Sequence, residues 1–428
     1  MSPSHPLDRI VAANRRGDAV GIASICSAHP EVLAATFERA STHPGPVLVE
    51  ATCNQVNQFG GYTGLTPADF AANLRAQAGD YGVSNLILGG DHLGPNPWRS
   101  QSAAEAMNHA EDLVRSYVAA GFTKIHLDCS MACGDDPGPA LDPVEIARRA
   151  ARLAIAAEEA GDRAGTLDQI RYIVGTEVPV PGGIVDDDAC EVTDPDDVAA
   201  TLDIHRDAFG AAGVEDAWTR VIGIVTQPGV EFGAHSIDRL DRTAAAPLSA
   251  VLGDHEGIVY EAHSTDYQTP QALADLVEIG FGILKVGPAL TFAYREAMFA
   301  LAAIENELIP RSRSNLVEVL DAVMVAQPEN WASYYRGSDH QQLLARRYGL
   351  SDRSRYYWPD PQVAASVSTL IANLDQVTIP DGLLSQYLPE QYRRVAAGII
   401  TPTPVALVRD RIRGVLDIYA DATRIDSI

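Results

Sequence analysis

Short apolar runs recur along the chain with a regular beat, at residues 21–26, 47–52, 86–88, 124–130, 172–177, 221–226, 258–263 and 283–287. Their length and bounding turn residues predict buried strands. Between them lie alanine- and charge-rich stretches with helical spacing. Several open with a start signal: Thr66-Pro67-Ala68-Asp69, Asp142-Pro143-Val144-Glu145, Thr193-Asp194-Pro195-Asp196 and Thr269-Pro270-Gln271. Each joins a capping side chain to a proline at the first helical position. Strand-like runs followed in turn by helix-like ones predict an α/β fold, a (β/α)8 TIM barrel. A doubly wound open sheet is the alternative. It is disfavoured because the first strand-to-helix turn, Cys26-Ser27-Ala28-His29-Pro30, carries no glycine fingerprint. Beyond residue 305 the beat stops, and 315–326, 339–348, 361–374 and 403–419 read as helices. The expected organisation is a barrel over 1–305 with a helical extension over 306–428 packed on it. The aromatics of that extension, Trp331, Tyr334, Tyr335, Tyr356, Tyr357 and Trp358, read as core or subunit contacts.

Composition narrows the class of ligand. The chain has 428 residues, with 32 basic against 57 acidic side chains and a formal charge of −25. Such an acidic chain is a poor partner for nucleic acid or an anionic membrane, and the excess reads as solubility. The five cysteines lack a CxxC spacing, so neither a disulfide framework nor a zinc knuckle is expected. Met-Ser-Pro-Ser-His at the start has no basic region followed by an apolar segment, and no run reaches membrane-spanning length. A soluble, cytoplasmic protein of a reducing compartment is expected, acting on a small molecule as a homo-oligomer.

The chemistry centres on Gly89-Gly90-Asp91-His92-Leu93-Gly94-Pro95-Asn96, where a strand-like run stops at two glycines and an acid and an imidazole follow. In a βα barrel the C-terminal strand ends share one mouth. That rule gathers Glu50, Asn54, Asp91, His92, Asp128, Ser130, Glu177, Gln227, His263 and Lys285, with His235 just after the sixth strand. Three imidazoles, His92, His235 and His263, plus one open position make a catalytic divalent-metal site, Zn²⁺ first and Mn²⁺ as the alternative. His126, inside the fourth strand, reads as structural. Asp91 is the candidate acid/base group, provided that the glycines bend the strand, because consecutive side chains otherwise face opposite ways. Glu177 opens the rigid run Glu177-Val178-Pro179-Val180-Pro181, and the acids after Gly182-Gly183, Asp186 and Asp187, read either as a closing loop or as solvated residues.

The runs GGDHLGPN (89–96), GTEVPVPGG (175–183), EAHSTDYQ (261–268), LKVGPALTFAYREA (284–297) and SDRSRYYW (351–358) resemble the GatZ/KbaZ group. That group is known as the non-catalytic subunit of class II tagatose-1,6-bisphosphate aldolase and also carries the label tagatose-6-phosphate kinase. It is similar in turn to the catalytic class II ketose-bisphosphate aldolases, which are zinc TIM barrels. The resemblance implies acid/base and metal roles for Asp91 and His92, zinc ligation by His235 and His263, and acid roles for Glu177 and Asp186 or Asp187. The aldolases follow their last zinc histidine with a glycine-rich phosphate loop, where this chain has Ser264-Thr265-Asp266, and Lys285-Val286-Gly287 lacks their asparagine. Both departures weigh against a phosphate held by loop N–H groups. Asn54, Asp128, Ser130, Gln227, Ser264, Asp266 and Lys285 are the candidate substrate contacts.

Three readings follow. The first is a metal-dependent enzyme on a ketose or ketose phosphate, by retro-aldol cleavage or C4 epimerisation. The second is an accessory subunit stabilising a catalytic class II aldolase partner. The third, a sugar-phosphate kinase, finds no Gly-x-x-x-x-Gly-Lys-Ser/Thr motif in the chain.

Overall fold

A computed structural model describes residues 5–138, 140–176 and 190–427. Parallel strands close into an eight-stranded barrel: β1 (Ile22–Ile25), β2 (Val47–Thr52), β3 (Leu86–Leu93), β4 (Lys124–Leu127), β5 (Arg171–Val174), β6 (Val221–Val225), β7 (Val259–Ala262) and β8 (Phe281–Val286). Each pairs with its sequence neighbours, and β8 returns to β1. The expected helix starts all act as caps. The side chains of Thr66, Asp142, Asp194 and Thr269 accept from first-turn N–H groups of helices Pro67–Asp80, Pro143–Ala164, Pro195–Ala211 and Pro270–Ile279.

Strand alternation sorts the side chains. Leu88, Ile125, Leu127, Tyr260 and Leu284 point outward into the core shared with the helices. Ile22, Leu48, Ile87, Ile173, Ile222, Val259 and Ile283 pack with Leu7, Ile10 and Val11 of helix Pro6–Arg15 and fill the lower end of the barrel. His5 caps that helix, accepting from the Leu7 N–H at 3.2 Å and sharing a 3.0 Å hydrogen bond with Thr123 Oγ1.

β3 does not stop at its glycines but runs on through Leu93. The glycines serve close packing: a Cβ on Gly89 would lie 2.5 Å from Glu50 Cγ, and one on Gly90 would lie 2.6 Å from Leu93 Cδ1.

After residue 305 the expected helices appear as Leu316–Ala326, Asp339–Tyr348, Pro361–Asp375 and Pro404–Thr423, joined by Asp381–Tyr387 and Pro389–Ala396. The last long helix is part of the barrel's outer ring. It packs on β1 and against helices Pro30–Ala40 and Pro270–Ile279. The Gly21 N–H donates to the Thr423 carbonyl at 2.9 Å, and Arg39 pairs with Asp417 at 2.7 Å and Asp426 at 2.6 Å. Among the described residues no helix is long and apolar enough to cross a membrane.

Candidate functional site

One step up the barrel from the apolar plug, the inward positions of β2, β4, β7 and β8 carry acids and lysines. Lys124 Nζ lies 2.6 Å from Glu50 Oε1 and 2.6 Å from Glu261 Oε2. Lys285 Nζ lies 3.5 Å from Glu50 Oε2 and 3.5 Å from Glu261 Oε1, and contacts Asp91. All are buried. Burial works against ionising the two glutamates, but Lys124 beside them holds both carboxyls below their ordinary range.

The next step carries Asp91, His126 and His263, with His92 and Asp128 against them. His126 Nδ1 lies 3.0 Å from Asp91 Oδ1, His263 Nε2 lies 3.0 Å from Glu261 Oε1, and His92 Nδ1 lies 2.8 Å from Asp128 Oδ2. The three rings are mutual neighbours, with centroids 4.9 Å (His92–His263), 5.1 Å (His92–His126) and 5.3 Å (His126–His263) apart. Burial pushes His126 and His263 down to about 4, so both are neutral imidazoles near pH 7. For Asp128, burial is outweighed by the hydrogen bond from His92, and its carboxyl sits well below the usual range.

Asp91 and His92 do reach one site, and a backbone device explains how. His92 adopts φ +49°, in the left-handed region, and the β3–β4 register slips between Gly90 and Leu93. This bulge turns two consecutive side chains to the same side. The bend thus lies at His92 itself, not at the glycines before it.

One ligand atom each from Asp91, His126, Glu261 and His263 lie within 4.8 Å of one another, an arrangement able to hold a metal ion. His126, read from the sequence as structural, is therefore central. His235 is exposed, in the turn between the short strands Glu231–Phe232 and Ile237–Asp238. Among the described residues neither His235 nor His92, both expected as ligands, belongs to that group of four; of the three expected histidines it holds His263. Glu177, Asp186 and Asp187 lie outside the described residues.

A cleft of about 670 Å³, counting the part open to solvent, sits over this cluster. Asn54, Ser264, Asp266 and Lys285 line it as expected, with Cys26, Gln55 and Tyr62. Asp128 and Ser130 support from behind, Ser130 donating from N at 3.0 Å and Oγ at 2.6 Å to Asp128 Oδ1. Gln227 does not line the cleft; its Oε1 accepts from the N–H groups of Gly229 and Val230 at 2.8 and 2.9 Å. Asp266 Oδ1 accepts from Gly287 N–H at 3.1 Å and Ala289 N–H at 2.8 Å, at the start of helix Pro288–Leu308. Burial pushes its carboxyl up to about 6. Burial likewise pushes the Cys26 thiol up to about 12, so it stays protonated.

The chain matches the family described as "D-tagatose-1,6-bisphosphate aldolase subunit GatZ/KbaZ-like" over residues 7–424. It belongs to the GatZ/KbaZ-like family. The crystal structure of a probable tagatose 6 phosphate kinase from Sinorhizobium meliloti 1021 is 49% identical, with a TM-score of 0.87 over 94% of this chain and 100% of that one. A fructose-bisphosphate aldolase from Campylobacter jejuni matches at 15% identity and a TM-score of 0.47, over 86% of this chain and 92% of that one. The YdjI aldolase from Escherichia coli K12 matches at 13% identity and 0.43, over 82% and 95%.

Two further cleft residues come from the GatZ/KbaZ-like chain's late segment, Arg355 and Tyr356. Neither was singled out in the sequence as a ligand contact. The missed barrel residues had a legible signal: Lys124, His126 and Asp128 share one strand parity, as do Glu261 and His263. Arg355 and Tyr356 had none, because nothing local says which helix-to-helix turn folds over the mouth.

Proposed function

We propose that this GatZ/KbaZ-like chain is a metal-dependent enzyme acting on a ketose or ketose phosphate, by retro-aldol cleavage or C4 epimerisation. The carrying observation is the convergence of Asp91, His126, Glu261 and His263 within one ion's reach. Two further observations fit a cation there. His126 Nε2 is buried with no hydrogen-bond partner among the described residues. Four buried carboxylates (Glu50, Asp91, Asp128, Glu261) face two buried lysines (Lys124, Lys285), an imbalance of the size a divalent ion neutralises. A Zn²⁺ or Mn²⁺ ion held by His126, Glu261 and His263, with Asp91 and His92 beside it, would supply a Lewis acid for a carbonyl or neighbouring hydroxyl.

The protein's own groups divide the remaining work. Asp128 holds His92 Nδ1 and so sets which ring nitrogen faces the cleft. Asp91, paired with Lys285, is the group to take the proton from the sugar's C4 hydroxyl as the C3–C4 bond breaks. Re-forming that bond on the opposite face gives the C4 epimer; releasing the fragments gives the aldolase outcome. Asn54 and Ser264 are placed to bind hydroxyls, and Glu177, Asp186 and Asp187 stay candidates for the second acid.

Metal analysis with turnover tests this. Stoichiometric Zn²⁺ or Mn²⁺ lost in His263→Ala, and turnover of tagatose, tagaturonate or tagatose 1,6-bisphosphate that a chelator abolishes, are the expected results. No bound metal after reconstitution sinks the reading. The family description as an aldolase subunit favours a second reading, an accessory role beside a catalytic class II aldolase subunit. Activity that appears only on mixing the two subunits would establish it. ADP release from ATP and tagatose 6-phosphate would instead point to the kinase named for the Sinorhizobium relative.

A further inference from the structure

The cations bordering the cleft are unequal. Lys285 is committed to Asp91, Glu50 and Glu261. Arg355 has no carboxylate within ion-pair distance among the described residues, whereas the buried guanidiniums of Arg149, Arg295 and Arg346 each have one. Its Nη1 donates to the carbonyls of Ser351 at 2.5 Å and Asp352 at 3.1 Å, and Nη2 to Tyr356 Oη at 2.9 Å. Those three bonds leave the Nε–H and one Nη2–H of the five-donor fork without a partner among the described residues. Arg355 also stands at a junction. It lines the cleft over the histidine cluster and a second cavity beside it, edged by Ser27, His29, Thr63 and Thr291. Tyr62 borders both cavities and meets Tyr356 edge-on, 4.9 Å between centroids.

The backbone N–H groups that open helix Pro288–Leu308 are already taken. Asp266 occupies those of Gly287 and Ala289, where an anion on the barrel would otherwise sit. A negatively charged ligand group meets a carboxylate there, and at Arg355 a guanidinium with its Nε–H and one Nη2–H still to be paired among the described residues. We infer that Arg355 is the subsite for the anionic end, phosphate or carboxylate, of an elongated sugar whose reacting carbons lie at Asp91 and His263. Charge recognition thus comes from the segment after residue 305, while the reacting groups come from the barrel. The sugar part of this inference rests on the ketose reading above; the anion part does not.

The test uses the full chain and two probes, inorganic phosphate and D-gluconate, titrated calorimetrically into wild type, Arg355→Gln, Arg355→Lys and His263→Ala. One probe is expected to bind wild type, about tenfold or more weaker in Arg355→Gln, the loss of one charge-assisted fork, with partial recovery in Arg355→Lys, and phosphate, which has no sugar end to reach His263, is expected to bind His263→Ala as it binds wild type. Phosphate binding the tighter assigns a sugar phosphate; gluconate the tighter assigns a sugar acid. Thermal midpoints identify any variant that misfolds, and Arg355→Lys then carries the comparison, expected to bind more weakly than wild type. Equal binding by a folded Arg355 variant and wild type, or no millimolar binding of either probe by wild type, overturns the subsite. If the probe binds as expected but no ketose is turned over with metal present, the ketose reading falls and the anion subsite stands. With turnover, the kcat/KM preference for a charged over an uncharged ketose should drop about tenfold in Arg355→Gln, through KM.

Discussion

The two ends of the barrel interior are equally buried and chemically opposite. At the lower end Ile22, Leu48, Ile87, Val259 and Ile283 meet Leu7, Ile10 and Val11 in an apolar plug. Two residues further along the same strands, the same inward face carries Glu50, Glu261 and Lys285, with Lys124 entering from β4. The plug gains free energy from every methylene removed from water. The ionised layer gains little, since desolvation offsets the attraction between its charges. Such a layer therefore reflects what the site does, and its cost is carried by the plug below and the helix–sheet core around it.

The comparison breaks first at Lys124. Lys124→Met leaves Glu50 and Glu261 buried without their closest cation, and a loss of about 3–5 kcal/mol is expected. Denaturant melts check it, and a wild-type midpoint would mean that the layer is not held by this pairing. At the lower end, Leu48→Ala is expected to cost about 3 kcal/mol through its cavity, with metal stoichiometry unchanged. A change in bound metal there would show that the two ends are not independent.

Acid sharpens the contrast at His5, which burial pushes down to about 4, so the folded protein binds fewer protons than the unfolded chain. Stability from this group is full above the unfolded value of 6.5 and is lost as pH falls toward 4. Between pH 7 and 5 the loss is on the order of 1–2 kcal/mol. His5→Asn keeps a capping side chain and should flatten that part of the pH-dependence of the thermal midpoint. The smallest effect on metal content is expected at exposed His235, where Ala should leave it intact. His126→Ala, by contrast, should lose the metal. Metal retained in His126→Ala and lost in His235→Ala would reverse the proposed ligand set.

Much of the barrel was legible because its signals are local. The strand runs near 47–52, 221–226 and 258–263 match observed strands within a residue or so, and the Thr-Pro and Asp-Pro starts became working caps. The site was legible in part. Asp91, His92 and His263 do converge, and Asn54, Ser264, Asp266 and Lys285 do line the cleft. His126 was set aside although it shares strand parity with Lys124 and Asp128. His235 followed the right strand, but a hairpin turn carries it to the surface.

The sequence by itself determined the alternation of strands and helices, the helix starts, and which residue types stand at the strand ends. These depend on contacts a few positions apart. Tertiary structure alone decided three things. The slipped register and left-handed His92 set both members of the Asp91–His92 pair into one site. Interior close packing made room at Gly89 for Glu50. Closure of the chain brought Arg355 over the mouth and helix Pro404–Thr423 against β1, hundreds of residues away in sequence. Each depends on distant segments meeting, and no local pattern encodes where a partner far along the chain will lie.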